Sequence, residues 1–179
     1  MKTLTKLILS LTVVLFFSCN GKQSLQEYYV DNQDNENFLS LDLPSSLLMV
    51  NDNMTKEQQE TLSTVKKVNV LAFPKKEENT VAFEEEKSKI NSILKDDKFH
   101  VLMKFNQNGM NAKVLYLGEE DAIDEIIIYG EDYEKGFGVA RILGNQMNPQ
   151  KLIEMLKTVD NDMINVEGFE DIAKSFNNN

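Results

Sequence analysis

Apolar positions recur along this chain with two periods, and the change from one to the other marks its elements. From Phe38 the stretch FLSLDLP sets Leu39, Leu41 and Leu43 against polar neighbours, the two-residue period of a strand, and Pro44 stops it. SSLLMV then reads as a short helix capped by Ser45 or Ser46. TKEQQETLSTV reads as a second helix, because Thr55 and Gln58 stand at capping-box spacing. VNVLAF, Val68 to Phe73, is a short apolar strand closed by Pro74. From Thr80 the period lengthens. Phe83, Lys87, Ile90 and Leu94 share one helical stripe, joined by Ile93, while Glu84, Glu85, Glu86, Lys89 and Lys95 take the wet side. Glu85 and Lys89 stand at i,i+4 spacing.

The clearest pattern comes next. FHVLMKF sets Phe99, Val101, Met103 and Phe105 on one face and His100, Leu102 and Lys104 on the other. NQNGMN supplies a turn, AKVLYL a second strand, GEED a turn, IDEIIIYG a third strand, EDYEKG a turn and FGVARIL a fourth strand. Three short connections in a row predict an antiparallel meander. NPQKLIEMLKTV then starts a helix, with Asn148 as cap, Pro149 in the first turn, and Leu152, Ile153 and Leu156 as its stripe. The tail from Asp160 carries a weaker pattern, and SFNNN reads as a fraying end. Together these elements predict the α+β class: a two-layer α/β sandwich whose mixed sheet carries a C-terminal-half antiparallel meander packed against helices. No internal repeat divides the chain.

Ahead of the domain the polarity changes abruptly. Lys2 and Lys6 precede about eleven mostly apolar residues, Leu7 to Phe17, well short of the roughly 20 that a membrane-crossing helix needs. Polar Asn20, Gly21, Lys22 and Gln23 follow at once. Residues 1–18 therefore read as a signal peptide of the lipoprotein type. Ser18-Cys19, with Leu15, Phe16 and Phe17 upstream, resembles a bacterial lipobox, although Phe16 and Phe17 are bulkier than the usual residues. Cys19 is the chain's only cysteine. It has no intramolecular disulfide partner, and its thiol suits a diacylglycerol thioether whose chains contribute about 0.8 kcal/mol per buried CH₂. Residues 19–37, ending in DNQDNEN, read as the tether, with a short turn of helix at LQEYYV. Residues 38–176 read as a single domain. Asn20 after the cysteine, where aspartate would signal inner-membrane retention, points to the outer membrane and its periplasmic face.

Composition narrows the partners. Of 179 residues 41% are hydrophobic and 27% charged, enough to bury a core, and the net charge is −10. That charge disfavours nucleic acid, whose phosphates demand clustered Lys and Arg, and disfavours membrane docking by overall charge.

Candidate chemistry is sparse. His100, the only histidine, sits within a strand pattern and lacks the companions that zinc requires. Gly136, Gly138 and Gly144 in GFGVARILG miss the phosphate-loop spacing and precede a strand, so a turn and strand are expected there. Glu119, Glu120, Asp121, Asp124 and Glu125, with Glu131, Asp132 and Glu134, cluster in loops that calcium's six to eight oxygens could use. The plainer expectation is solvated turns. No cofactor is expected and no catalytic residue is assigned.

The lipobox leader followed by FLSLDLPSSLL, VKKVNVLAF, KFHVLMKFNQNGMNAKVLYL, DEIIIYG and LGNQMNPQKLIEML resembles a family of small Gram-negative lipoproteins, the domain of unknown function numbered 4252. The resemblance covers roughly residues 25–160 and rests on the order of strands, turns and helices. It implies an envelope location and an α/β domain, and it carries no functional residues over. The expectation is thus a non-enzymatic binding or interaction module, held to the membrane by lipid on Cys19 and engaging an envelope protein through a sheet face or edge strand. Two alternatives stay open: an envelope-stress sensor or regulator, and a hydrolase using the carboxylates near GEEDAIDE.

Overall fold

The computed structural model describes residues 22–48, 54–107, 109–120, 122–158 and 174. Cys19, the leader and the tail expected to fray lie outside them. The first element is not a tether. Helix α1, Leu25–Asn32, opens on a full capping box: the Ser24 hydroxyl accepts the Glu27 N–H at 3.1 Å, and the Glu27 carboxylate accepts the Ser24 N–H at 2.7 Å. Its buried residues Leu25, Tyr28, Tyr29 and Asn32 follow i, i+3, i+4, i+7 spacing and pack on the sheet. The segment expected to run free to residue 37 is therefore part of the domain from Leu25.

Strand β1 (Leu39–Pro44) leads into a single helical turn α2 (Ser45–Leu48), helix α3 (Lys56–Ser63) and strand β2 (Val65–Pro74). The Thr55–Gln58 capping box forms as its spacing predicts. Helix α4 spans Thr80–Ile93 after a short 3₁₀ turn, Glu77–Asn79. Strands β3 (His100–Gln107), β4 (Met110–Glu119), β5 (Ala122–Asp132) and β6 (Gly136–Met147) follow, and helix α5 (Pro149–Thr158) completes the order. Pro149 occupies the first helical position, and the Asn148 side chain accepts the Lys151 N–H at 3.1 Å.

The sheet runs β1-β2-β6-β5-β4-β3, and all five pairings are antiparallel. The class is α+β as expected, but the sheet is not mixed, because β6 returns to pair with β2 head to tail. The layering also differs. Neighbouring Ile126 and Ile127 enter separate buried clusters, so β5 is apolar on both faces. One face, with Leu71, Phe73, Leu115, Ile127, Tyr129, Phe137 and Val139, packs against α1 and α4. The other, with Ile123, Ile126 and Ile142, packs against Leu62 of α3 and Leu152 and Met155 of α5. Helices thus lie on both sides of the sheet, where the IIIY run left no polar face for a two-layer sandwich.

Register breaks in four of the five pairings, at Val65/Lys67 of β2, Val101/Met103 of β3, Leu117/Gly118 of β4 and Ile123/Glu125 of β5, and two of these breaks matter most here. In β3 Val101 pairs with Leu115, yet Met103 pairs with Val114, so Leu102 is an extra residue. Phe99 and Val101 consequently share the α1/α4 side, while Met103 and Phe105 turn to the opposite side. The second break lies at Gly118, whose φ of 107° no L-residue adopts without strain. A Cβ there would also stand 2.9 Å from the Ala122 carbonyl oxygen.

Candidate functional site

Three places on this frame concentrate polar or exposed chemistry. The first is a band under α1. The chain's only arginine, Arg141, shares its strand face with Phe137 and Val139 and is 4% exposed. Its Nε donates to Glu125 Oε1 at 2.6 Å, its Nη2 to Glu125 Oε2 at 3.2 Å, and its Nη1 to Gln26 Oε1 at 2.6 Å. Opposite Arg141, Asn69 donates to Asp42, which also accepts from the Tyr29 hydroxyl at 2.7 Å and pairs with Lys67 at 2.8 Å. Burial raises the Tyr29 hydroxyl well above the ordinary tyrosine range, with the Asp42 bond adding to it, so the proton stays on Tyr29. This band consumes its own charges, and its chemistry is that of a clamp joining α1 to β1, β2, β5 and β6.

Burial pushes the Asp42 carboxyl upward, but hydrogen bonds from Lys67, Tyr29 and Asn69 outweigh it and hold the group below its usual value. A depressed carboxyl contributes stability above the unfolded-state value, lost as pH falls through the folded-state value. Asp42→Asn is therefore expected to flatten the decline of the urea midpoint below about pH 4 relative to wild type. Parallel curves for the two proteins across that range would show that the network carries no acid-linked stability.

Farther along the same face, the Tyr129 hydroxyl donates to Glu131 at 2.7 Å and accepts from Asn91 at 3.1 Å, and Lys113 donates to Asn91 at 3.4 Å. Burial, then the Glu131 bond and charge, raises Tyr129 above the ordinary range. Tyr28 is raised by burial first and by the Glu86 carboxylate next. Its hydroxyl and the Glu86 Oε2 are buried without a hydrogen-bond partner among the described residues. Glu86, expected on the wet side, instead turns inward and pairs with Lys89 at 2.6 Å, which takes the place of the Glu85–Lys89 pair.

The second place is the outer edge of β3, which has no strand partner among the described residues. Val101 is 50% exposed, Met103 46% and Phe105 47%, and Met110 on the adjoining strand is 49%. Residues 98–118 contain Lys98, Lys104 and Lys113 and no acid, in a chain with 29 acids against 19 bases. His100 lies at the start of this edge, exposed, its ring 5.0 Å from that of Tyr116.

The third consists of two shallow clefts. One, about 230 Å³, lies between the entry to α1 and the end of α4 and is lined by Lys22, Gln23, Lys89, Ser92, Asp96 and Lys98. The other, about 260 Å³, lies between α3 and α5 beside the 3.5 Å Lys151–Glu57 pair.

The acidic loops do not converge. Glu119 ends β4, Glu120 is in the turn, Asp124 points to solvent and Glu125 turns inward to Arg141, while Asp121 lies outside the described residues. Among the described residues no group of three His, Cys, Asp or Glu side chains stands close enough to hold a metal ion. Gly136, Gly138 and Gly144 all lie in β6, as their turn-and-strand expectation has it. No described helix is long and apolar enough to cross a membrane. Arg141 went unassigned in the sequence, though a single arginine on the inward parity of FGVARIL was the available signal.

A family model described as Domain of unknown function (DUF4252) matches residues 28–155, from within α1 to within α5. No curated protein and no solved structure matches the chain.

Proposed function

The chain belongs to the DUF4252 family, a domain of unknown function, and from that premise we propose that it is an envelope lipoprotein, anchored through lipid on Cys19 and acting as a non-enzymatic binding module. Its working surface is the open β3 edge, and its occupant is an extended, acid-bearing segment of an envelope protein added as a further strand. The observation that carries this reading is the contrast between the two sheet edges. β1 is six residues long, ends in Pro44 and carries Asp42, features that discourage edge pairing. β3 is longer, has no proline and sets Met103 and Phe105 outward beside Lys104. The extra residue at Leu102 confines regular pairing to Met103–Gln107. Acid-free residues 98–118 favour a partner of negative charge and disfavour nucleic acid less than the rest of the surface does, but three lysines without an aromatic stack are a poor phosphate track.

The location rests on the leader, with outer-membrane delivery into the periplasm following from Asn20. Wild type is expected to incorporate a labelled fatty acid and Cys19→Ala to lose it; a wild type without label overturns the anchor. For the edge, a photoreactive residue at Met103 is expected to crosslink in native envelopes to an extended, acid-bearing segment, identified by mass spectrometry, and Phe105→Lys to abolish it. A probe at Val81, exposed on α4, is the control. The same products from both positions, or none from Met103, overturn the edge as the binding surface.

A further inference from the structure

We infer that the cleft between α1 and α4 is a seat for the phosphate of anionic lipid headgroups in the leaflet that holds the anchor. The inference rests on the anchored reading above and adds to it a contact between the domain and the bilayer surface.

The cleft gathers Lys22, Lys89 and Lys98 around the Ser92 hydroxyl and the Gln23 amide, which makes it cationic on a chain of net charge −10. Asp96 is the acid in its wall, and its Oδ1 already accepts the Lys98 backbone N–H at 3.2 Å, while the Gln23 amide donates one N–H to Asp31 at 2.7 Å and keeps its second for a ligand. Glu86 pairs with Lys89, whose side chain remains 54% exposed and so can still reach a second anion. A phosphate monoanion matches this lining in size and in its need for several N–H and O–H donors.

Position selects the source of that phosphate. Only Asn20 and Gly21 separate Lys22 from the anchoring cysteine, so even fully extended chain sets them only about 11 Å apart. A thioether-linked glycerol on Cys19 lies at headgroup depth, and Lys22 can then lie no deeper in solution than the headgroup layer and its first water. Because α1 is packed on the sheet from Leu25, few residues remain to swing the cleft away. The overall negative charge repels an anionic surface, so this cationic cleft turns toward it while the acidic remainder faces away.

The test uses the chain from Cys19 onward, which holds every described element, coupled through its sole thiol to a maleimide lipid in nanodiscs. This coupling separates the cleft from natural acylation: failed fatty-acid labelling counts against the anchor alone, and the nanodisc result counts for or against the cleft. Lysine acetylation rates are read residue by residue by mass spectrometry, with Lys66, Lys104 and Lys151 as internal references. In discs of phosphatidylcholine with about one third phosphatidylglycerol, Lys22, Lys89 and Lys98 are expected to react about fivefold more slowly than in pure phosphatidylcholine, the factor expected of one lysine–surface contact. Lys89→Gln with Lys98→Gln is expected to remove the protection of Lys22. Equal rates in both discs, or protection spread over the reference lysines, overturn the inference. Protection in phosphatidylcholine discs on adding millimolar inorganic phosphate overturns the lipid source and assigns the cleft to a free anion.

Discussion

Arg141→Met is expected to destabilise the domain by about 3–5 kcal/mol, as for any buried ion pair broken from one side. The substitution keeps an unbranched chain of similar length, so the volume filled at this buried position is largely conserved. What it removes is the guanidinium that meets both oxygens of Glu125 and the Gln26 carbonyl. Glu125, only 14% exposed at its side chain, is then left as a desolvated carboxylate with no countercharge. Against a total stability of about 5–15 kcal/mol such a loss leaves a marginal fold. Urea unfolding of the single variant and of Arg141→Met with Glu125→Leu checks the cause. The double variant is expected to recover most of the loss, since apolar replacement of a whole buried pair is often neutral or better. A single variant within about 1 kcal/mol of wild type would show the pair to be solvated and the α1 clamp to be weak.

Phe73→Ala is expected to cost a similar amount, about 3–5 kcal/mol, through a different mechanism. Phe73 is fully buried at the meeting point of four rings. It stacks on Phe137 at 5.6 Å and 16°, meets Phe38 edge-on at 4.9 Å, and lies 5.9 Å from Phe83. These partners come from β6, the segment before β1, and α4, so a cavity there loosens three separately held parts at once. A thermal midpoint about 10–15 °C lower is the expected reading for a domain of this size. Phe105→Ala at the half-exposed β3 edge serves as the comparison and is expected to shift it by only a few degrees. Equal shifts for the two would mean that the ring cluster is no more consolidated than the surface.

Much of the architecture was legible from short-range chemistry. Thr55 with Gln58, Asn148 with Pro149, and the three turns of the meander each act within a few residues of sequence, so their patterns survive into the structure. The docking of helix α1 was hidden because Tyr28 and Tyr29 are amphipathic and DNQDNEN beside them reads as solvated chain, although a turn of helix at LQEYYV and the Leu25, Tyr28, Tyr29, Asn32 spacing were present. The extra residue at Leu102 was invisible for another reason: a bulge there needs no glycine, and both Leu102 and Met103 read as ordinary strand residues. Pairing of β2 with β6 was beyond local patterns altogether, since it joins segments far apart in sequence. The Arg141–Glu125 band shares that origin. Each charge alone read as strand or loop polarity, and only the β5–β6 register sets them side by side.

That same insertion of β6 between β2 and β5 decides when this protein can become whole. Strands β1 and β2, joined through α2 and α3, form one antiparallel pair, and β3, β4 and β5 form another small sheet. No strand pairing joins them until residues 136–147 have been made, because β6 alone bonds to both. A chain emerging from the ribosome therefore carries two half-sheets with open edges until β6 is made. Closure must bring Pro74 to Gly136 and Val65 to Gly144 across a long loop, a step whose entropy is repaid only once the Phe73–Phe137 stack forms. Closure of the six-stranded sheet thereby waits for its last strand.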